Sequence, residues 1–137
     1  MIATTAHAAR QAANRIAKLV RHTPMEHSVA FSERLDATVW FKLENRQETG
    51  SFKLRGATNR LLTLTDEQRA RGCIAASSGN HGAAVAFAMR QLGVTGIIFV
   101  PEGTSPAKVD KIRHYGGTVE VFGTDGLDTE QHARAYA

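Results

Sequence analysis

Apolar residues recur along this chain in two different rhythms, and the change from one to the other divides it. Ala9, Ala12, Ala13, Ile16, Ala17 and Val20 stand three and four residues apart, the spacing of one helix face. Thr23-Pro24 closes that stretch, because proline pushes the residue before it towards extended geometry. Val29 to Leu35 gives a short helical piece. Thr38-Val39-Trp40-Phe41-Lys42-Leu43, rich in β-branched and aromatic residues, gives the first strand. After the polar stretch Glu44 to Gly50, a helix is expected from Ser51, whose hydroxyl can cap it, through Leu61, Leu62 and Leu64. Thr65-Asp66-Glu67-Gln68 repeats the start signal for a short helix ending at Gly72.

From Cys73 onward strand and helix alternate. Ile74-Ala75-Ala76 is a short apolar strand, and the helix after it places Ala84, Val85, Ala88, Met89 and Leu92 on one face. Ile97 to Val100 is a fully apolar strand, and Pro101 to Pro106 opens a helix with Val109 and Ile112 inward. Gly116-Gly117 stops that helix, Thr118 to Phe122 forms a third strand, and Asp128 is expected to start a last helix. This β-α-β-α-β-α order predicts right-handed crossovers and an α/β fold: a parallel sheet with helices on both faces. The last helical pattern runs to Ala137 without a stop signal, as in a chain that ends on a helix or in part of a longer product.

Composition narrows the classes. The chain has 137 residues, 42% hydrophobic and 22% charged, which suits one folded domain rather than a disordered chain. A single cysteine, Cys73, excludes an internal disulfide framework and a multi-cysteine zinc site. The six histidines show no metal-ligand spacing, so no metal is expected. Apolar runs are only a few residues long, which predicts a chain off the membrane, in the cytoplasm. The net charge of +4 comes from Arg10, Arg15, Lys18 and Arg21 in an acid-free first segment, and the rest is neutral. No basic stripe runs along the body, so no nucleic-acid partner is expected. The basic segment reads as an amphipathic helix whose apolar face runs into the body; the alternative is an organellar transit peptide.

Two places carry candidate chemistry. Ser77-Ser78-Gly79-Asn80-His81-Gly82 joins the C-terminal end of an apolar strand to a helix N-terminus, where ligands bind in open α/β sheets. Unpaired N–H groups at the positive end of the helix dipole favour a small anion there, and a tight capped turn without ligand is the plain alternative. The turn is no dinucleotide loop, and the chain contains no Walker A sequence and no nucleophile elbow. Lys53 is the second place. It falls in the first turn of its helix, where the dipole disfavours positive charge and favours the neutral amine needed to condense with a carbonyl. Arg55 adds to that effect or points to solvent.

Lys42-Leu43-Glu44-Asn45, then Thr49-Gly50-Ser51-Phe52-Lys53-Leu54-Arg55-Gly56-Ala57, then Ser77-Ser78-Gly79-Asn80-His81-Gly82 together resemble the fold-type II pyridoxal-phosphate enzymes. Within them the chain is similar to the threonine/serine dehydratase (ammonia-lyase) and serine racemase branch. Thr23-Pro24 and Val100-Pro101 support the likeness, which runs from about Arg15. The resemblance implies pyridoxal 5'-phosphate as cofactor, with Lys53 as the lysine that bears it and removes the substrate's Cα proton. It implies that Phe52 packs against the cofactor ring and Asn80 donates to its 3-oxygen. Ser77, Ser78, Gly79, Asn80 and His81 would hold the carboxylate of an amino-acid substrate. The implied reaction is β-elimination of a hydroxy amino acid to a 2-oxo acid and ammonia. Ser78 leaves racemisation open as the alternative, as acid/base opposite the lysine, or serves only as a donor to the carboxylate. A non-catalytic binding or interaction domain is the alternative outside enzymes.

The resemblance also implies a division: residues 1–66 as the N-terminal part of a large domain carrying Lys53, and residues 67–137 as a small α/β domain. Members of the family are roughly twice this long, and their second half supplies a glycine-rich phosphate cradle. Here Gly116-Gly117 is the nearest glycine run. The chain is therefore expected to be an N-terminal portion, inactive alone, with an exposed face where more protein packs and with homo-oligomers formed at full length.

Overall fold

A computed structural model describes residues 2 to 137, and side chains from residue 3 onward. Five strands and seven α-helices follow in the order α1 (Ile2–Ile16), β1 (Met25–His27), α2 (Val29–Leu35), β2 (Trp40–Lys42), α3 (Lys53–Leu62), α4 (Asp66–Arg71), β3 (Cys73–Ala76), α5 (Asn80–Leu92), β4 (Gly96–Val100), α6 (Pro106–His114), β5 (Thr118–Val121) and α7 (Gly126–Tyr136). A 3₁₀ turn, Glu44–Arg46, lies between β2 and α3.

The expected parallel sheet is present, in the order β3-β4-β5. Its central strand is the most apolar, with Ile98, Phe99 and Val100 each almost fully buried. Neighbouring residues of a strand point to opposite faces, and here both are covered. Ile98 lies near Gly82 of α5 and Gly117, beside Ile112 of α6. Phe99 meets His132 and Tyr136 of α7 edge-on, with ring centroids 4.9 and 5.3 Å away. Helices therefore lie on both faces: α5 and α6 on one, α7 on the other. β3 pairs only with β4, so its other edge is open among the described residues.

Several boundaries differ from the sequence expectation, each for a local reason. Met25–His27 has no β-branched residue, yet it forms an antiparallel strand because β2 lies beside it, Met25 opposite Lys42 and His27 opposite Trp40. The first helix stops at Ile16, and the backbone turns so that Leu19 N and Val20 N both donate to Ile16 O. Its alanine face does not run into the body: Ile16 is buried and Ala12 half-buried, but Ala9, Ala13 and Ala17 are exposed. The helix meets α3 in its last turn, where Arg15 Nε donates to Asn59 Oδ1 at 2.9 Å. The last helix starts two residues before its expected position at Asp128, because Asp125 accepts hydrogen bonds from Leu127 N and Asp128 N and caps it. The start of α4 stands as read, with Thr65 and Gln68 forming a reciprocal capping box.

The β1-β2-α2 unit leaves Met25, Val29, Phe31, Leu35, Trp40 and Phe41 exposed, a contiguous apolar surface built around the edge-on Phe31–Phe41 pair. The main buried cluster lies between α3, α5 and the sheet.

Phe99 is buried on the face of the sheet that α7 covers, so Phe99→Ala is expected to cost about 4 kcal/mol of stability. Urea unfolding followed by circular dichroism measures it, and an unchanged midpoint would contradict this packing.

Candidate active site

Lys53 is the first residue of α3, as its sequence position requires, but Ser51 does not cap the helix. The cap position falls on Phe52, which already has helical angles (φ −63°, ψ −16°), and the helix starts with no side-chain cap. The Ser51 hydroxyl is left buried without a hydrogen-bond partner, as is that of Thr49. The Lys53 ammonium reaches solvent and lies 5.2 Å from the centroid of the Phe52 ring, a cation–π contact within one dipeptide. Phe52 itself is 60% exposed, so a flat apolar face stands open beside the amine.

The approach to Lys53 is held by a polar knot that connects three motifs far apart in sequence. Arg55 Nη2 donates to Glu44 Oε1 at 2.7 Å and Arg55 Nε to Glu44 Oε2 at 3.0 Å, a two-point ion pair. Thr23 Oγ1, fully buried, donates to the same carboxylate, and the Lys42 ammonium donates to the Thr23 carbonyl. Arg21 and Gln47 bond reciprocally, Arg21 N to Gln47 Oε1 at 2.9 Å and Gln47 Nε2 to Arg21 O at 3.0 Å. Arg55 therefore neither points to free solvent nor adds an unpaired charge beside Lys53: Glu44 neutralises it. The hydrogen bonds from Arg55 hold the Glu44 carboxyl below its usual range, against an opposing effect of burial, and the Thr23 bond adds to the lowering. Among the described residues Lys53 makes no ion pair.

The Ser77–Gly82 turn follows β3 directly. Ser77 N donates to Phe99 O at 3.0 Å and extends the ladder by one bond, after which the chain leaves the sheet. A Cβ at Gly82 would stand 2.2 Å from the Ser77 carbonyl oxygen and 3.1 Å from Ile112 Cδ1, so only glycine lets α5 start this close to the strand. Side chains cap α2, α4 and α7, but α5 begins behind Gly79 with no side-chain cap. Its first N–H groups are thus available to an anion. Ser77 Oγ accepts from Gly79 N at 3.3 Å, which tightens the turn. The side chains of Ser78 and Asn80 make no hydrogen bond among the described residues.

The elements that carry the two places pack together, and of the expected site residues only His81 lines the cavity between them, not Lys53 or Ser77 to Asn80. Helix α3 packs along α5, with Leu54, Ala57 and Leu61 buried among Ala84, Val85, Ala88 and their neighbours. Gly56 and Ala57 of α3, Cys73 to Ala75 of β3, and His81 and Val85 of α5 line one cavity of about 340 Å³. Partial desolvation lowers the pKa of His81 below its usual value, and the charge on Lys53 lowers it further. The amine therefore lies within electrostatic reach of the turn. Phe52, Lys53, Gly79, Asn80 and His81 are all exposed at the surface, and Ser77 and Ser78 half-exposed. Glu44, Thr23 and Gln47 were not assigned a role from the sequence; the one signal for the knot was Thr23-Pro24 and Glu44 recurring beside the lysine motif.

The model of the family described as "Pyridoxal-phosphate dependent enzyme" matches residues 16–137. The chain belongs to that family. Among curated relatives, an L-threonine ammonia-lyase of Geobacter sulfurreducens is 46% identical over 114 residues, covering 83% of this chain and 28% of the relative. A biosynthetic L-threonine dehydratase of Haemophilus influenzae is 42% identical over 112 residues, covering 82% of this chain and 22% of the relative. Among solved structures, maize serine racemase superposes with a TM-score of 0.85 at 35% identity, over 92% of this chain and 38% of that one. The processed threonine deaminase isoform 2 of Solanum lycopersicum gives 0.83 at 33% identity, over 92% of this chain and 36% of that one. This family member thus spans less than a third of the length of those two curated relatives. Among the described residues no helix is long and apolar enough to cross a membrane.

The polar knot gives a stability test. Arg55→Ala removes the charged partner of Glu44, which keeps its bond from Thr23, and is expected to cost about 2 kcal/mol. Because Glu44 has a lowered folded-state pKa, its contribution is complete above its unfolded value of 4.5 and fades as pH falls through the folded value. Glu44→Gln is expected to lose that part of the acid dependence in urea melts taken across this range. Melts that fall with acid as steeply as those of the parent chain would contradict the assignment.

Proposed function

We propose that this chain carries the lysine and the carboxylate-binding turn of a pyridoxal-phosphate-dependent hydroxy-amino-acid ammonia-lyase of the threonine/serine type. The observation that supports the reading is the packing of α3 against α5, which puts His81 in one cavity with Gly56 and Ala57 and within electrostatic reach of Lys53.

The residues present fit the cofactor on three counts. Lys53 is exposed and makes no ion pair among the described residues, so its amine is free to condense with an aldehyde. Phe52 presents an open ring face next to it. Asn80 has an uncommitted amide at the start of α5. When bound, pyridoxal phosphate supplies the aldehyde and a ring that draws electrons from the substrate's Cα.

The chain's own groups then have separate tasks. N–H groups of the uncapped α5 N-terminus, with the Ser77 and Ser78 hydroxyls, bind the substrate carboxylate and fix which Cα bond faces the amine. Lys53 Nζ takes the Cα proton as general base. Loss of the β-hydroxyl leads to a 2-oxo acid and ammonia. A racemase uses the same lysine and turn and adds Ser78 as the acid/base on the second face. The lyase reading is favoured because relatives at 42–46% identity bear ammonia-lyase or dehydratase names. The same reading makes the whole protein a cytoplasmic homo-oligomer, with residues 1–66 in its large domain and 67–137 in its small one.

Incubation with pyridoxal phosphate, borohydride reduction and peptide mapping tests the proposal. The expected adduct lies on Lys53 and disappears in Lys53→Ala, with circular dichroism unchanged. An adduct spread over the other lysines, with none enriched at Lys53, would reject it in favour of a non-catalytic domain.

A further inference from the structure

Tyr115 follows the last residue of α6 and reaches back across the molecule. Phe87 of α5 meets its ring edge-on (centroids 5.6 Å apart, planes at 77°), and His114 flanks it at 5.3 Å. So oriented, the hydroxyl donates to the carbonyl oxygen of Glu48 at 2.9 Å, joining positions 67 residues apart. Glu48 lies five residues before Lys53, in a loop with no regular structure after the 3₁₀ turn.

Arg21 also anchors the start of that loop, through Gln47 and through an ion pair to the Glu48 carboxylate, but neither contact reaches the unit that carries the turn. Gly50 N donates to Gln47 O at 2.8 Å in a turn whose positive φ (+73°) suits glycine. Beyond it, the buried Thr49 and Ser51 hydroxyls bond to nothing. The Glu44–Arg55 knot fixes the loop to the elements that carry Lys53 itself. Tyr115 and Phe87, by contrast, come from the unit that carries the Ser77–Gly82 turn. A hydrogen bond from that unit to the lysine loop adds a directional tie between the two beside the apolar packing of α3 on α5.

We infer that Tyr115 is a positioning residue: its hydrogen bond to the Glu48 carbonyl holds the loop before Lys53, and with it the amine, against the Ser77–Gly82 turn. The inference rests on reading Lys53 and the turn as one site. It concerns only the chain's own groups, so its test needs no cofactor.

Tyr115→Phe keeps the ring and its contact with Phe87 and removes the hydroxyl. Two readouts apply to the chain. The first is amide hydrogen exchange. Loss of one neutral hydrogen bond is expected to speed exchange at Gly50 and Arg55 about five-fold, with Ile98 and Val100 in β4 unchanged. The second is the NMR titration of His81. The charged groups around His81 are Lys53 and Arg60 of α3, and Glu130 and Arg134 of α7. Of these, only Lys53 follows the loop directly. In Tyr115→Phe the His81 titration is expected to move up towards the ordinary histidine value, in the direction that Lys53→Met moves it. An equal rise in exchange throughout β4 would make Tyr115 a general stability residue and overturn the proposal. So would a His81 titration that Tyr115→Phe leaves in place, or one that Lys53→Met does not move. A missing adduct at Lys53, with both readouts as expected, would instead sink the proposed function and leave this inference standing.

Discussion

The guanidinium of Arg55 sits in the first turn of a helix, partly buried, where an unpaired charge is costly. Its two-point contact with Glu44 resolves that cost and decides the local geometry. Glu44 belongs to the 3₁₀ turn that leaves β2, so the pair fixes α3 to the small antiparallel sheet. Thr23 and Lys42 join the same knot, which brings in the segment after α1. The stretch between, from Gln47 to Phe52, has no ladder or helix of its own. Lys53 is placed because both ends of that stretch are tied. The pair also leaves Lys53 as a cation without an acidic partner in its own helix, although the dipole disfavours charge there.

The turn on the facing unit obeys a different constraint. It is shaped by what is absent at Gly82, because any side chain there would collide with the Ser77 carbonyl and Ile112. Close approach of α5 to β3 keeps the helix N-terminus at the sheet's edge, and the missing side-chain cap leaves its N–H groups free for an anion. One unit thus presents an amine and the other a ring of donors. Their separation depends on helix packing in which small residues take part: Ala57, Ala84 and Ala88 let α3 lie close along α5.

The alternation from Cys73 onward was plain in the sequence, since period-2 apolar strands and glycine stops carry strong signals. The site's residue types were equally plain, because Ser77 to Gly82 and Lys53 occupy element boundaries where chemistry and structure coincide. What escaped was long-range. The strand at Met25 owes its conformation to β2, and nothing within three residues reveals that. The role of Arg55 required knowing that Glu44, eleven residues earlier, returns to meet it. Ser51 looked like a cap because its type and position fit, yet Phe52 adopted helical angles first and left the hydroxyl stranded. The alanine stripe of α1 had helical spacing but side chains too short to reach a partner, so periodicity predicted the helix and not its burial.

The central claim is that amine and turn form a single site for a small carboxylate. Acetate titrated into the isotopically labelled chain, with the amides of Ser78 to Gly82 and the Lys53 side chain followed by NMR in one experiment, tests it most directly. The account predicts that both sets of signals shift together and fit one dissociation constant, and that the shifts of the turn weaken in Lys53→Met. Turn amides that stay still while only scattered surface lysines respond would contradict it.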